Sequence, residues 1–221
     1  MDYKKIRVKK PWGSEYLIYQ NKDSATWCLD LDFDQKTSLH CHPKKKTGFL
    51  LLDGEVEIDL GFYKKTILKA PNKIMIRPGL FHATKAISTT GAKILEIESP
   101  VDKEDLVRFK DDYGRQNTPY EGKDMMSALT ESDTLFVDPE TNAMNSYNIR
   151  NVNINLEKYN NINYLLEKKQ NTIFAILDGG LVSEDNRYVL CPGDIVGYDT
   201  IKKLCEVFKV KDTITFLTIE S

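Results

Sequence analysis

At 221 residues the chain is long enough to bury a core without disulfide staples. Its 31 basic and 33 acidic side chains leave a net charge of -2, which excludes a global field drawing it to nucleic acid or to an anionic membrane. Four scattered cysteines without Cys-x-x-Cys spacing, an N-terminus "MDYKKIRVKK" with no apolar core behind its lysines, and no apolar run near the roughly 20 residues of a membrane helix predict a reduced, cytoplasmic protein with a small-molecule partner.

From residue 16 to 98 the chain alternates short β-rich runs with turn residues: "YLIYQN", "ATWCLDLDF", "GFLLLDGEVEIDLG", "TILKAPNKIMIRPG" and "AKILEIES". Short strands punctuated by Gly, Pro and Asp predict an antiparallel sandwich or barrel. Asp53-Gly54, between two such runs, predicts a hairpin turn, because that dipeptide readily reaches positive φ.

All three histidines of the chain fall in this region. His40 and His42 are two apart, so on a strand they project from one face, while Cys41 points away; His82, in "RPGLFHAT", can join them from a neighbouring strand. Three imidazoles with open positions fit a divalent ion (Zn, Fe, Mn or Ni) in a catalytic rather than a closed structural site. The competing reading is three ordinary barrel histidines satisfied by hydrogen bonds. In "KILEIES" alternation puts Glu96 and Glu98 on one face, where they are either a proton shuttle and replacement ligand inside the barrel or part of a solvated surface.

After Pro100 the charged run "DKEDLVRFKDDYGRQ" spaces Leu106, Val107 and Phe109 close to helical periodicity, which predicts a short helix ending at Gly114. Residues 117–150 are polar and turn-rich and read as a linker with one short helix near Met125. Residues 151–221 return to strands, and "FAILDGGLVS" from Phe174 echoes "FLLLDGEVEI" from Phe49 as Phe-x-x-Leu-Asp-Gly. Carrying that offset of 125 residues back, His40 falls on Leu165, His42 on Glu167 and Thr47 on Thr172, so a second copy keeps the frame and loses the ligands. The expected division is a metal-binding unit (1–116), a linker (117–150) and a ligand-free unit (151–221) with a structural or dimerising role.

The histidine spacing resembles the cupin pattern of His-x-His, an acid, a Gly, and later a Pro-x-Gly followed by His; here Thr47 stands at the acid, Pro71 at the second Gly and Arg77 at the Pro. "KPWGSEYLI" (10–18) and "ILEIESPVDKEDLVRFKDDYGR" (94–115) are similar to the opening and closing segments of the cupin module of bacterial mannose-6-phosphate isomerases, which usually have Gln where this chain has His40. The resemblance spans about residues 9–116. It implies an all-β fold of two cupin-like jelly-roll barrels, each a double-stranded β-helix, with a short helix and linker between them. It also implies metal-dependent aldose-ketose isomerisation of a sugar phosphate in carbohydrate precursor synthesis, in a protein that pairs as a homodimer. The metal would sit on His40, His42 and His82, with Glu96 or Glu98 moving the proton and Arg115 reaching the substrate anion. Lys10, Lys44 and Lys46 would hold the phosphate. The alternatives are another cupin metalloenzyme, an Fe(II) oxygenase or epimerase, and a non-catalytic sugar-binding bicupin.

Overall fold

The computed structural model of the chain describes residues 3–115 and 122–220. Alternating apolar residues set out the strands β1 (Ile6–Lys10), β2 (Gly13–Gln20), β3 (Ala25–Leu31), β4 (Leu39–Cys41), β5 (Lys46–Asp53) and β6 (Glu55–Leu60). They continue as β7 (Lys64–Lys69), β8 (Asn72–Ile76), β9 (His82–Ala86), β10 (Ala92–Ser99), β11 (Val107–Lys110) and β12 (Met126–Ala128). These twelve strands form two antiparallel sheets, ordered β12-β1-β2-β3-β10-β5-β8 and β11-β4-β9-β6-β7. Strand β10 lies between β3 and β5, and β9 between β4 and β6, so neighbours in space are distant in sequence. That connectivity is the jelly roll, or double-stranded β-helix, of the cupin fold. Trp12, Trp27, Phe49, Leu51, Ile58 and Ile94 fill the space between the sheets.

Asp53-Gly54 does not close a hairpin. Strand β5 pairs with β10 and β8, whereas β6 pairs with β7 and β9, so the dipeptide is the corner where the chain leaves one sheet for the other. Gly54 has φ +83°, and a Cβ there would lie 2.3 Å from the carbonyl oxygen of Gly91. The dipeptide announces positive φ; which strands the two flanking runs pair with is decided by long-range register.

The charged run after Pro100 is not a helix either. Val107 pairs with Cys41 and Arg108 with His40, so this segment adds β11 to the smaller sheet, with Val107 and Phe109 outward and exposed. A β-branched residue and an aromatic flanking Arg108 fit a half-buried strand, and pairing with β4 outweighs weak helical spacing. A single turn of 3₁₀ helix does occur at Lys123–Met125. The boundary at 116/117 lies outside the described residues, and the stretch read as a linker supplies strands: β12 to the first unit, and β13 (Ala143–Ile149) to the second.

The second unit contains β14 (Val152–Tyr159), α1 (Asn163–Leu166), β15 (Ile173–Val182), β16 (Tyr188–Leu190), β17 (Ile195–Gly197), α2 (Tyr198–Cys205) and β18 (Lys209–Glu220). Its single sheet runs β13-β14-β18-β15, with β16 and β17 both on β15, and so repeats the order β2-β3-β10-β5-β8. The sequence echo is a register echo too. Phe49 pairs with Ile74 and Glu96, and Phe174 pairs with Val196 and Thr218. No second sheet follows among the described residues. In chain order α1 stands between β14 and β15 as β4 stands between β3 and β5, with Leu165 125 residues after His40, and α2 follows β17 as β9 follows β8. Leu165 and Ile201 from these helices are fully buried against Phe174, Ile176 and Phe216. The second cupin-like unit is thus one sheet closed by two helices.

The two units meet sheet to sheet. Outward residues of the larger sheet (Tyr16, Ile18, Leu50, Leu52, Leu95, Ile97) share one apolar layer with Ile154, Leu156, Leu177 and Leu217. No helix among the described residues is long and apolar enough to cross a membrane.

Candidate metal centre

His40 and His82 are directly opposed on β4 and β9, and His42 follows two residues after His40, so period-two alternation turns all three rings into the space between the sheets. The ring centroids are 5.1 Å (His40–His42), 4.4 Å (His40–His82) and 5.6 Å (His42–His82) apart. One ligand atom from each lies within 4.8 Å of the others, and among the described residues these three form the group able to converge on one ion.

Backbone carbonyls set the tautomers. Nδ1 of His40 bonds to the Ser38 carbonyl at 2.7 Å, Nδ1 of His42 to the Asp105 carbonyl at 2.5 Å, and Nδ1 of His82 to the Leu80 carbonyl at 3.0 Å. A carbonyl only accepts, so each Nδ1 carries the proton and each Nε2 presents a lone pair. Nε2 of His42 and of His82 is buried with no hydrogen-bond partner, an arrangement that costs stability unless a cation takes the lone pair. Burial, and after it the charge of Lys45, pushes His42 down to about 3. Burial likewise pushes His82 down to about 4, and holds His40 well below its ordinary value with help from the two neighbouring rings. Neutral imidazoles with aligned, unused nitrogens fit a divalent metal; ordinary hydrogen-bonded barrel histidines would not leave them unused.

Beside the histidines lies a cavity of about 80 Å³, open at one side. Strand β10 sends Ile94, Glu96 and Glu98 inward and Leu95 and Ile97 outward, so both carboxylates face the interior. Their surroundings differ. Glu98 is 2% exposed and is held by Lys45 Nζ at 2.5 Å and Trp27 Nε1 at 3.2 Å. Glu96 is raised to about 7, first by burial and then by the charge of Glu98, against the opposing pull of Lys103 and Lys45. Lys103 places Nζ 3.4 Å from the centre of a Trp27 ring and 3.1 Å from Glu15, which also faces Lys10 at 3.5 Å. Five cationic side chains line the cavity, Lys10, Lys45, Lys103, Arg108 and Arg115, against the three carboxylates of Glu15, Glu96 and Glu98. With neutral histidines the site carries an excess of positive charge that favours an anionic guest.

No protein family and no curated protein matches the chain. Among solved structures it is similar to KdgF from Halomonas sp. at 16% identity, over 42% of this chain and 84% of that one, with a TM-score of 0.40. It is similar to an uncharacterized conserved protein with a double-stranded beta-helix domain from Klebsiella pneumoniae (18% identity, 44% and 79% of the chains, TM-score 0.41). The DMSP lyase DddQ from Ruegeria pomeroyi matches at 16% identity over 43% and 50% of the chains, with a TM-score of 0.39. Likeness of this degree assigns no activity, so the chemistry has to come from the site.

Of the residues singled out in the sequence, His40, His42, Glu96, Glu98, Lys10 and Arg115 line this cavity, and His82 converges with His40 and His42 beside it. Arg115 is held by Asp111, its Nη2 2.7 Å from Oδ1. Lys44 and Lys46 do not join them. Lys44 is 73% exposed and 3.7 Å from Asp102, and Lys46 reaches the second unit, with Nζ 2.6 Å from Asp194. The lysine of that run inside the cavity is Lys45, whose position two before Thr47 and four before inward Phe49 already marks it by alternation. Thr47 itself is buried with its hydroxyl unpartnered. Arg108 was legible only through its pairing with His40, and Lys103 and Glu15 only through their mutual approach.

Proposed function

We propose that the chain is a metal-dependent isomerase interconverting the aldose and ketose forms of a small sugar phosphate through an enediolate. The observation that carries this reading is Glu96, a carboxylate raised to about 7 in the same cavity as three converging histidines and a surplus of cationic side chains. A divalent cation on His40, His42 and His82 would supply Lewis-acid stabilisation of the substrate oxygens. Glu96 takes the proton from the hydroxyl-bearing carbon next to the carbonyl and returns it to the former carbonyl carbon, while the hydroxyl proton passes from its oxygen to the former carbonyl oxygen. Glu98 is paired with Lys45 and stays out of the transfer, while burial, and after it the negative charge of Glu98, keeps Glu96 basic enough to abstract a proton. Arg108, Arg115 and Lys10 bring positive charge to the phosphate, and Arg115 does so from a side chain already oriented by Asp111.

A second reading has one observation in its favour. The converging group is three imidazoles with no carboxylate, a donor set that also suits an Fe(II) centre activating oxygen. The two separate in deuterated water without oxygen, with metal-loaded protein and a panel of sugar phosphates. The isomerase incorporates deuterium at the carbon next to the carbonyl, and Glu96→Gln abolishes it. No incorporation from any sugar phosphate, together with oxygen uptake in air, would replace the isomerase with an oxygenase.

A further inference from the structure

The segment between β10 and β11 is a strap that lends Lys103 and Leu106 to the cavity lining, and another of its residues touches the histidine cluster in two ways. The carbonyl of Asp105 accepts the Nδ1 proton of His42 at 2.5 Å. Its carboxylate accepts backbone N–H groups from the loop that follows His42: Lys44 at 3.2 and 3.0 Å, and Lys45 at 2.8 Å. Asp105 is 6% exposed and lies sixty or more residues from these partners, so the contacts are tertiary.

We propose that Asp105 is the positioning residue of the histidine cluster: its carboxylate latches the strap to residues 44–45 and thereby holds the carbonyl that aims the His42 ring. The carboxylate is bonded to the peptide groups just after His42, and the carbonyl to the imidazole itself. The bonds close a small ring through His42, Pro43, Lys44 and Asp105, so the ring and the carbonyl cannot shift independently. Without the carboxylate, two N–H groups lose their acceptor and the carbonyl is left on a strap tied down less tightly. His42 then keeps its place in the chain and loses its direction, which weakens a metal site without removing a ligand. Asp102 is a built-in contrast: it lies on the same strap, yet its carboxylate faces the exposed ammonium of Lys44 at 3.7 Å and the Glu104 N–H at 3.1 Å.

The inference rests on the three histidines being metal ligands and is independent of the reaction assigned to them. Metal-stripped full-length protein is titrated with Co²⁺, followed by its visible bands, and with Zn²⁺ by competition, for wild type, Asp105→Asn, Asp105→Ala and Asp102→Ala. Asp105→Ala is expected to bind about 10–100-fold more weakly with altered Co²⁺ bands. Asp105→Asn, keeping one acceptor oxygen, falls between it and wild type, and Asp102→Ala matches wild type. Folded Asp105 variants that bind Co²⁺ with wild-type affinity and spectrum overturn the latch, even if their thermal stability has dropped. Should Asp105→Ala not fold, Asp105→Asn decides on the same criterion. A wild type that takes up neither metal overturns the metal reading and the latch together, whereas metal uptake unaffected by the Asp105 changes overturns the latch alone.

Discussion

The ammonium of Lys45 lies 2.5 Å from Oε2 of Glu98, and both side chains are almost fully withdrawn from solvent. Such a pair is worth little relative to a well-packed apolar pair, but breaking it leaves a buried charge with no partner. Lys45→Met or Glu98→Gln alone is therefore expected to cost about 3–5 kcal/mol in denaturant unfolding, and the double variant to recover most of that loss. Two single losses that simply add would show that the groups do not interact.

Metal content should depend on each of the histidines. His42→Ala and His82→Ala each remove a buried Nε2 that has no other use, so the purified variants should fall from about one ion per chain to near none by elemental analysis. Unchanged content in both would remove the metal centre.

Glu96 gives two pH dependences of opposite sign. Its folded value of about 7 lies above that of an exposed glutamate, so the folded chain holds this proton more tightly than the unfolded chain does. The stabilisation is complete at acidic pH and is lost as pH rises through about 7. A base works only when ionised, so kcat/KM should instead rise through about 7 and flatten above it. Glu96→Gln should lower kcat by about 10²–10⁴-fold and abolish that limb of the profile, while its stability no longer changes over that window.

Two glycines with the same backbone conformation should respond differently to alanine. Gly54 and Gly114 have φ +83° and +77°, but an added Cβ meets the Gly91 carbonyl at 2.3 Å in the first case and nothing within 4 Å in the second. Gly114→Ala is expected to cost about 1–2 kcal/mol, the conformational term alone, and Gly54→Ala clearly more. Equal losses in thermal or denaturant melts would mean that the corner yields freely.

Alternation carried the sequence reading a long way. It brings His40, His42, Glu96 and Glu98 to one interior because a strand has only two faces and the apolar residues mark which is which. What escaped it depended on partners far along the chain. Asp53-Gly54 looks the same at a hairpin and at a corner until one knows that β5 pairs with β10 and β6 with β9. The segment holding Arg108 has a charged, weakly helical pattern, and pairing with β4 makes it a strand. The offset of 125 residues puts Leu165 at the His40 position, but nothing local announced that this stretch and the one after β17 would be helices α1 and α2. Lys45 is the instructive omission: among three consecutive lysines, alternation from Phe49 picks it out.

The face-to-face packing of the two units has a consequence for how the protein behaves on dilution. Leu52 and Leu177, at matching places in the repeated frame, lie in the same apolar layer, so the second unit covers the back of the first as a like partner would. Because the partner is tethered, its local concentration is set by the chain and not by the solution. The apolar back that the first unit would expose on its own therefore stays covered even when only a few molecules are present.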